Sequence, residues 1–389
     1  MPEVVNQNHE NTPLKKRKPH AHRWGFFFTT ILDNITLNKD KKNRLLKHIA
    51  YLQIIGIVLV VIGHSFHECP ESNFGTDLLI YKLMYSFRMP LFLFVSGYLL
   101  MYTSLSKHYD HGSIHFIKNK ILRLLLPFAV LTLIAYIPRS MLSTMADDSI
   151  PLSIEFFIKS LYHSDYLIIP YFWFLQSSFT LLIGCYLYIK TARKMKIPEL
   201  VQYALLLLIF LLLPILDIDI NYKIFSVGQT IHLGLFFVLG MIFSQYEHVF
   251  VKYVSAHSVI AIIVFATIWI VAFFISGGSH GNIFLYKIAG LAGIFMCFCF
   301  CRWLVNNHIF VLDRFIGVNY MIFLLSWFFN TLSQQVLHHY VEMPWYLFTV
   351  ISIISGIYCP YLIYKTMKCY RHTPAARTIS FLLGQNIVR

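Results

Sequence analysis

Charged residues are scarce in this chain, since they make up only 13% of its 389 residues. An ordinary soluble domain carries about 25% charged residues, so the composition excludes one. Hydrophobic residues make up 57% of the chain, and the mean hydropathy is +0.62. Because apolar stretches nearly fill the chain after its basic N-terminal segment, we predict a polytopic membrane protein.

Acidic residues are also few: 18 aspartate and glutamate residues stand against 32 lysine and arginine residues, for a net charge of +14. Such an excess can indicate a nucleic-acid partner. Here, however, the basic residues lie in short clusters between apolar stretches, which is the pattern of the positive-inside rule. We therefore predict membrane lipids, and no nucleic acid, as partners.

Several catalytic and metal-binding motifs are absent. The chain has no glycine-rich phosphate loop, no G-x-S-x-G nucleophile elbow and no H-E-x-x-H zinc helix. Among its seven cysteines, Cys297, Cys299 and Cys301 are spaced two apart, so on a helix they cannot all face one ion. We predict neither a bound metal nor a disulfide framework.

The chain divides into two polar tails and an apolar middle. We predict a basic cytosolic tail over 1–47, which is disordered and begins with no secretory signal peptide, and a basic cytosolic tail over 367–389. Between them, within 48–366, ten apolar stretches are each long enough to cross a hydrocarbon core of about 30 Å. The predicted spans are about 48–66, 77–102, 120–138, 170–190, 199–216, 228–245, 257–276, 282–304, 315–334 and 345–366.

Lysine and arginine residues are unevenly divided among the segments between these spans. If the N-terminus is cytosolic, most of the 32 basic residues fall in inside segments, and only Arg139, Lys159 and Lys223 fall in outside ones. By the positive-inside rule, this bias predicts that both termini are cytoplasmic. The expected fold is an all-α membrane protein, a bundle of about ten transmembrane helices around a central cavity in the plasma (inner) membrane.

The first predicted span ends in titratable residues. An apolar run from Ile54 to Ile62 is followed by Gly63, His64 and, four residues later, Glu68. On a helix, residues four apart share a face, and a carboxylate there can fix the imidazole tautomer and raise its basicity. This pattern predicts a general base at the outer membrane boundary. The alternative is a histidine at the level of the lipid headgroups, hydrogen-bonded to lipid or water.

The second predicted span contains Arg88, eleven residues or roughly 16 Å below its outer end. An arginine in such a position costs about 2.5–3.5 kcal/mol on insertion scales, and the neighbouring Pro90 interrupts the helical hydrogen-bond ladder. A charge beside an interrupted helix indicates a water-lined cavity. The alternative is a structural salt bridge within the bundle.

Further candidates lie at the ends of other spans. Arg123, with Lys118 and Lys120, forms a basic cluster at the inner start of the third span, and this cluster could bind phosphates or simply anchor the helix. Trp173 and His232 lie at the predicted outer ends of the fourth and sixth spans, where aromatic and amphipathic residues are also common as membrane anchors.

Six segments, in order along the chain, resemble signatures of acyltransferase family 3, the polytopic membrane enzymes that include fucose 4-O-acetylase-like and surface-polysaccharide O-acetyltransferases. The resemblance covers about residues 48–366. The segments are IGIVLVVIGHS, SFRMPLFLFVSGYLL, KNKILRLLLPF, YFWFLQ, IHLGLFFVLG and FIGVNYMIFLLSWFF. The family's functional residues carry over to His64, Arg88, Pro90, Ser96, Gly97, Arg123, Pro127 and Trp173.

The chain also departs from the family pattern. Gln53 stands eleven residues before His64, where the family usually has an arginine or a lysine, and Arg88 stands where the fucose-type branch often has a histidine. The ninth-span motif often ends in a histidine that is lacking here. We expect Arg88, on the facing helix, to supply the charge that Gln53 lacks.

The resemblance implies that an acyl group, usually acetyl, moves from a cytosolic acyl-CoA to a hydroxyl of a cell-surface or lipid-linked carbohydrate. His64 would be the general base, oriented by Glu68, and Arg88 would stabilise the oxyanion. Arg123, with Lys118 and Lys120, would bind the donor, acetyl-CoA. The predicted acceptor-binding residues are Trp173, His67 and His232, and no cofactor or metal is expected.

Two other classes of protein compete with this interpretation. A transporter or flippase for a lipid-linked glycan would also bury charges along a substrate path, but it usually shows internal repeats, and none is evident. A membrane acyltransferase of the lipid-modifying type also uses an intramembrane histidine, although not in the first span. An acyl-histidine intermediate stays open as a variant of the mechanism.

Overall fold

A computed structural model describes residues 39–67, 79–105, 112–143, 150–214, 223–254, 257–278, 281–341 and 344–385. Within these ranges the chain forms thirteen α-helices and no β-strand. The helices are α1 (Lys39–His67), α2 (Leu79–Leu99), α3 (Ser113–Lys120), α4 (Leu126–Ser143), α5 (Ile154–Tyr162), α6 (Trp173–Lys194), α7 (Glu199–Leu212), α8 (Val227–Val254), α9 (Ser258–Ser276), α10 (Ile283–Asn306), α11 (Asn319–Tyr340), α12 (Trp345–Cys369) and α13 (Pro374–Leu382).

The long helices confirm an all-α membrane protein. In the described ranges, eight helical stretches are long and apolar enough to cross a membrane, judged by length and composition. Helices α7 and α11 take the places of the fifth and ninth predicted spans. Helix α7 has only 14 residues, or about 21 Å, which is short for a crossing. The sidedness of the bundle stays a prediction, so its two ends are a predicted outer end and a predicted cytosolic end.

Both predicted tails contain helix. Helix α1 begins at Lys39, within the predicted N-terminal tail, and α13 lies within the predicted C-terminal tail. Thr373 caps α13 by accepting a hydrogen bond from the Ala376 amide at 3.3 Å, and proline follows at the first helical position, where its missing amide costs nothing. Residues 1–38 lie outside the described ranges.

Helix α2 is central to the bundle and packs very closely on α8. A Cβ atom added at Gly97 would collide with the Phe237 carbonyl, and one at Gly240 would collide with the Phe94 carbonyl. Small residues let transmembrane backbones approach in this way. Helix α2 therefore has a fixed position, which matters because it carries Arg88.

Pro90 does not interrupt α2, contrary to the expectation that it breaks the helix. Proline lacks the amide that would bond the Ser86 carbonyl. The backbone of α10 comes close at this point, since a Cβ at Gly290 would lie 3.0 Å from that carbonyl oxygen. Trp269 donates to the Ser86 hydroxyl at 3.0 Å. Packing from α9 and α10 thus holds the helix continuous past the proline.

A buried polar cluster joins three helices near the predicted cytosolic end. Glu247 of α8 accepts a hydrogen bond from Tyr98 of α2 at 2.5 Å and contacts His48 of α1 at 2.8 Å. All three side chains are buried. Because a carboxylate in the bundle interior is costly unless it is paired, this cluster fixes α1 and α2 to α8.

Candidate active site

His64 lies near the end of α1 and is 3% exposed. Its imidazole stacks on the ring of Tyr171, with 3.3 Å between centroids and 28° between planes. Tyr171 belongs to a short 3₁₀ turn, Pro170–Phe172, which leads directly into α6. The histidine of the first span and the aromatic motif of the fourth therefore meet at Tyr171, two residues before Trp173.

The turn that carries Tyr171 is held by hydrogen bonds. Arg139 of α4 donates to the Ile168 carbonyl. Gln176, one turn into α6, donates to the Leu161 carbonyl at 3.0 Å and accepts from the Ser226 hydroxyl at 2.6 Å. These bonds link the segment before α6 to α4, α5 and the start of α8, so the ring that faces His64 is fixed in place.

At the same predicted outer end, Lys223 donates a hydrogen bond to Asp165 at 2.5 Å. This hydrogen bond raises the pKa of the Lys223 ammonium above its usual value. The backbone amide of Ser164 also donates to the Lys223 carbonyl, at 2.8 Å. The loop before α6 is thus tied to the segment before α8.

Arg88 of α2 reaches α1 at Gly63, the residue before His64. A Cβ atom at Gly63 would overlap the Nη1 atom of Arg88, so the guanidinium lies against the glycine backbone. Helical side chains lean towards the helix N-terminus, which here directs Arg88 towards the predicted outer end. Arg88 therefore lies against the residue that precedes His64.

Two tyrosines of α2 cover the Arg88 guanidinium. Its central carbon lies 4.6 Å from the ring centroid of Tyr85 and 5.5 Å from that of Tyr81. The side chain is 4% exposed, and its Nε has no hydrogen-bond partner among the described residues. None of the ion pairs in the described ranges includes Arg88. A buried cation whose partners among the described residues are aromatic rings suits a site where negative charge appears during a reaction.

Gln334 of α11 is a site residue that the sequence interpretation missed. Its amide nitrogen donates to the Ser65 carbonyl at 2.8 Å, one of the last four carbonyls of α1, which have no partner within the helix. The bond holds the final turn of α1, where His64 lies. The only sequence signal was an amide residue at the end of an apolar span.

A cavity of about 100 Å³ lies towards the predicted cytosolic end. Lys120 is buried in its wall, and Arg123 lies in a π-helical turn, Ile121–Leu125, between α3 and α4. Such turns are frequent at functional sites. The lining residues are Gln53, Ile57, Phe92, Val95, Ser96, Leu99, Lys120, Arg123, Leu124, Phe174, Leu175, Ser178, Leu182, Asn319, Tyr320 and Phe323.

Polar contacts shape the basic part of this cavity. Tyr320 of α11 donates a hydrogen bond to the Arg123 carbonyl, and its ring centroid lies 5.7 Å from the Arg123 guanidinium carbon. Asn319 donates to Gln53 at 3.3 Å. Gln53, which stands where a cation was expected, therefore contributes an amide to the cavity wall and does not lie beside His64.

Three phenylalanine rings of the cavity wall lie on helices that also carry or approach His64 and Arg88. Phe92 is one turn from Arg88, and Phe174 is one turn from Tyr171. The centroids of Phe92, Phe174 and Phe323 are 5.5 to 6.5 Å apart. The cavity and the His64–Arg88 pair are thus built on the same helices, and the three rings form one aromatic group in the cavity wall.

The remaining predicted site residues lie apart from the cavity and from His64, or outside the described residues. Lys118 is exposed and does not line the cavity, unlike its neighbours Lys120 and Arg123. Trp173 packs edge-on against Phe174, and His232 is exposed on α8. Neither makes a ring contact or hydrogen bond with His64 within the described part of the chain. Glu68 and the side chain of His67 lie outside the described residues.

These features define an integral membrane protein with a buried histidine and arginine near one end of a helical bundle and a basic cavity towards the other. The family model of the acyltransferase domain, acyltransferase 3, matches residues 46–365. The chain belongs to this family and is a membrane acyltransferase, as the sequence resemblance predicted over 48–366. No curated protein and no solved structure matches the chain.

Proposed function

We propose that the protein transfers an acetyl group from cytosolic acetyl-CoA to a hydroxyl of a cell-surface or lipid-linked carbohydrate. One observation carries the proposal. The basic cavity and the His64–Arg88 pair share the helices α1 and α2, and one helical turn separates Phe92, in the cavity wall, from Arg88. This arrangement suits a donor and an acceptor that reach one reaction centre from opposite sides of a membrane.

In this proposal, the donor enters from the cytosolic end. Coenzyme A carries several phosphate charges, and Arg123 and Lys120 supply two cations in the cavity wall. A guanidinium can donate two parallel hydrogen bonds to a phosphate, whereas an ammonium acts as a point charge. Arg123 is therefore the principal donor-binding residue, Lys120 contributes less, and the exposed Lys118 contributes least.

At the reaction centre, His64 takes the proton of the acceptor hydroxyl while the oxygen attacks the thioester carbonyl. The tetrahedral intermediate carries an oxyanion, which Arg88 stabilises. The C–S bond then breaks, and the leaving thiolate takes the proton from His64 to give free CoA. A positioned general base of this kind is worth about 10²–10⁴ in rate. Orientation of His64 by Glu68 belongs to the same proposal.

The full-length protein in detergent micelles, supplied with radiolabelled acetyl-CoA and glycan extracted from host membranes, tests this function. His64→Ala should abolish base-labile acetylation of the glycan while the protein still binds CoA. Arg123→Ala should weaken CoA binding most strongly at low salt, because phosphate contacts are screened by ions. Transfer at the wild-type rate by His64→Ala would refute the assigned base, and unchanged donor affinity in Arg123→Ala would move the donor site elsewhere.

A further inference from the structure

A chain of aromatic side chains leads away from Arg88 at the predicted outer end. Tyr81 and Tyr85, which cover the guanidinium, have ring centroids 6.0 Å apart. The Tyr81 ring meets Phe66 edge-on at 6.3 Å, and Phe66 meets Trp345 at 6.5 Å. These four rings, called the outer aromatic cluster, come from the end of α1, the start of α2 and the start of α12.

The cluster is partly open to its surroundings. Tyr81 is 8% exposed and Tyr85 is 48% exposed, while Phe66 and Trp345 are half-buried. None of the four residues lines the donor cavity. The cluster therefore extends from the buried arginine to the protein surface, and it is separate from the proposed CoA site.

The polar atoms of the cluster have no hydrogen bonds among the described residues. The hydroxyls of Tyr81 and Tyr85 and the indole nitrogen of Trp345 all lack one there. The Arg88 side chain is 4% exposed, and its Nε also has no hydrogen-bond partner among the described residues. The two tyrosine hydroxyls and the indole nitrogen can thus bond a ligand without breaking a hydrogen bond among the described residues.

We infer that the outer aromatic cluster is the acceptor subsite and that it takes a carbohydrate; this inference rests on the proposed function. A sugar ring has apolar C–H faces and a rim of hydroxyls. Flat aromatic rings cover the C–H faces, while tyrosine hydroxyls, an indole N–H and a guanidinium bond the rim. This subsite brings an acceptor hydroxyl to Arg88, and so to His64.

The competing explanation is a belt of membrane-anchoring aromatics. Belt residues act singly and need no buried cation. Phe284, at the start of α10, is of this kind: it is 64% exposed, lies at the same predicted outer end and makes no ring contact with the cluster. It provides the matched control.

Saturation-transfer NMR on the full-length protein in detergent micelles, without acetyl-CoA, tests the subsite directly. The probes are methyl glycosides of glucose, galactose, N-acetylglucosamine and rhamnose. We expect saturation of ring C–H protons in at least one glycoside, reduced about fivefold in Tyr85→Ala and Trp345→Ala and unchanged in Phe284→Ala. Because Tyr85 is exposed, Tyr85→Ala keeps the test valid if Trp345→Ala does not fold.

Three results would overturn the subsite: no saturation transfer to any probe in the wild type, equal signals in Tyr85→Ala and the wild type, or an equal loss in Phe284→Ala. Binding of acetyl-CoA, followed by thermal shift in the same variants, should not change. Glycoside binding without any donor binding would refute the proposed function and leave the subsite standing. Acetyl-CoA turnover without glycoside binding would refute the subsite and leave the proposed function standing.

Discussion

Gly63 controls the distance between the two principal side chains of the site. It has no Cβ, so the Arg88 guanidinium can lie against the α1 backbone beside His64. A methyl group at this position would occupy the place of the Nη1 atom. The arginine would then have to move, and small displacements at a reaction centre cost much rate.

For this reason we expect Gly63→Ala to lower acetyl transfer by about 10²-fold. Two effects on stability oppose each other, since alanine in a helix interior favours folding by about 0.5–1 kcal/mol and overpacking opposes it by about 1–3 kcal/mol. Thermal unfolding and initial rates should be measured together. Gly184→Ala is the control, because a Cβ there meets open space. Wild-type transfer by Gly63→Ala would mean that Arg88 need not touch α1.

The chemistry of Arg88 can be separated from its charge. Lysine keeps the positive charge but loses the planar set of parallel donors. We expect Arg88→Lys to bind acetyl-CoA normally and to lose most of the rate, because the oxyanion forms after the donor is bound. Steady-state kinetics with a donor-binding assay checks this. A near-wild-type rate in Arg88→Lys, with poor membrane accumulation of Arg88→Ala, would assign Arg88 a structural role.

The sequence predicted the principal titratable residues of the candidate site, but not the residues that contact them. His64 and Arg88 stand out because titratable groups are rare in apolar spans. Tyr171 and Gln334 do not stand out, because they matter through contacts with α1 residues that are more than 100 residues away in the sequence. Such contacts depend on helix packing, which periodicity does not encode.

Helices α2, α6 and α11 each contribute one ring, Phe92, Phe174 and Phe323, to the wall of the cavity. If the donor occupies this cavity as we propose, these rings would shield its thioester from water. We expect Phe323→Ala to raise acetyl-CoA hydrolysis, measured without any acceptor, about 10-fold, because closed active sites protect against side reactions. Phe328→Ala, on the same helix but outside the cavity lining, is the control. Unchanged hydrolysis in Phe323→Ala would show that the rings form no barrier.

Helix positions followed from hydropathy, whereas helix ends did not. All ten predicted spans coincide with helices. Helix α1, however, starts at Lys39, because lysine and arginine are good helix formers and charge marks a membrane boundary without ending a helix. Helix α7 ends at Leu212, four residues before the predicted limit. The continuity of α2 at Pro90 likewise depends on packing that only the folded chain provides.

Glu247 of α8 joins α1 and α2 in the interior of the bundle, through His48 and Tyr98. We expect Glu247→Ala to destabilise the protein by about 3–5 kcal/mol, since it breaks a buried pair and leaves its partners uncompensated. Glu247→Gln should cost less, because it keeps the hydrogen-bonding shape. Thermal unfolding in micelles measures both. Glu155→Ala, which removes an exposed pair with Lys159, should have no measurable effect. Equal melting temperatures of Glu247→Ala and the wild type would show that this cluster does not stabilise the bundle.

The sidedness of the whole molecule decides whether a cytosolic donor can reach the basic cavity. Exposed positions suit cysteine labelling with a membrane-impermeant reagent: Glu155 at the predicted outer end, and Lys194 and Arg371 at the predicted cytosolic end. Cys369 is exposed and would itself react, so it and Cys69 should first become serine. Most other cysteines are buried and should stay silent.

In intact cells we expect Glu155→Cys to be labelled and Lys194→Cys and Arg371→Cys to be labelled only after permeabilisation, because the lysine and arginine bias predicts that both termini are inside. The Glu155→Cys signal also controls for expression at the surface. Labelling of Lys194→Cys in intact cells would mean that the bundle has the opposite orientation in the membrane. Lys120 and Arg123 would then face away from the cytosol, where acetyl-CoA is found, and the proposed path of the acetyl group from the cavity to His64 would have to be abandoned.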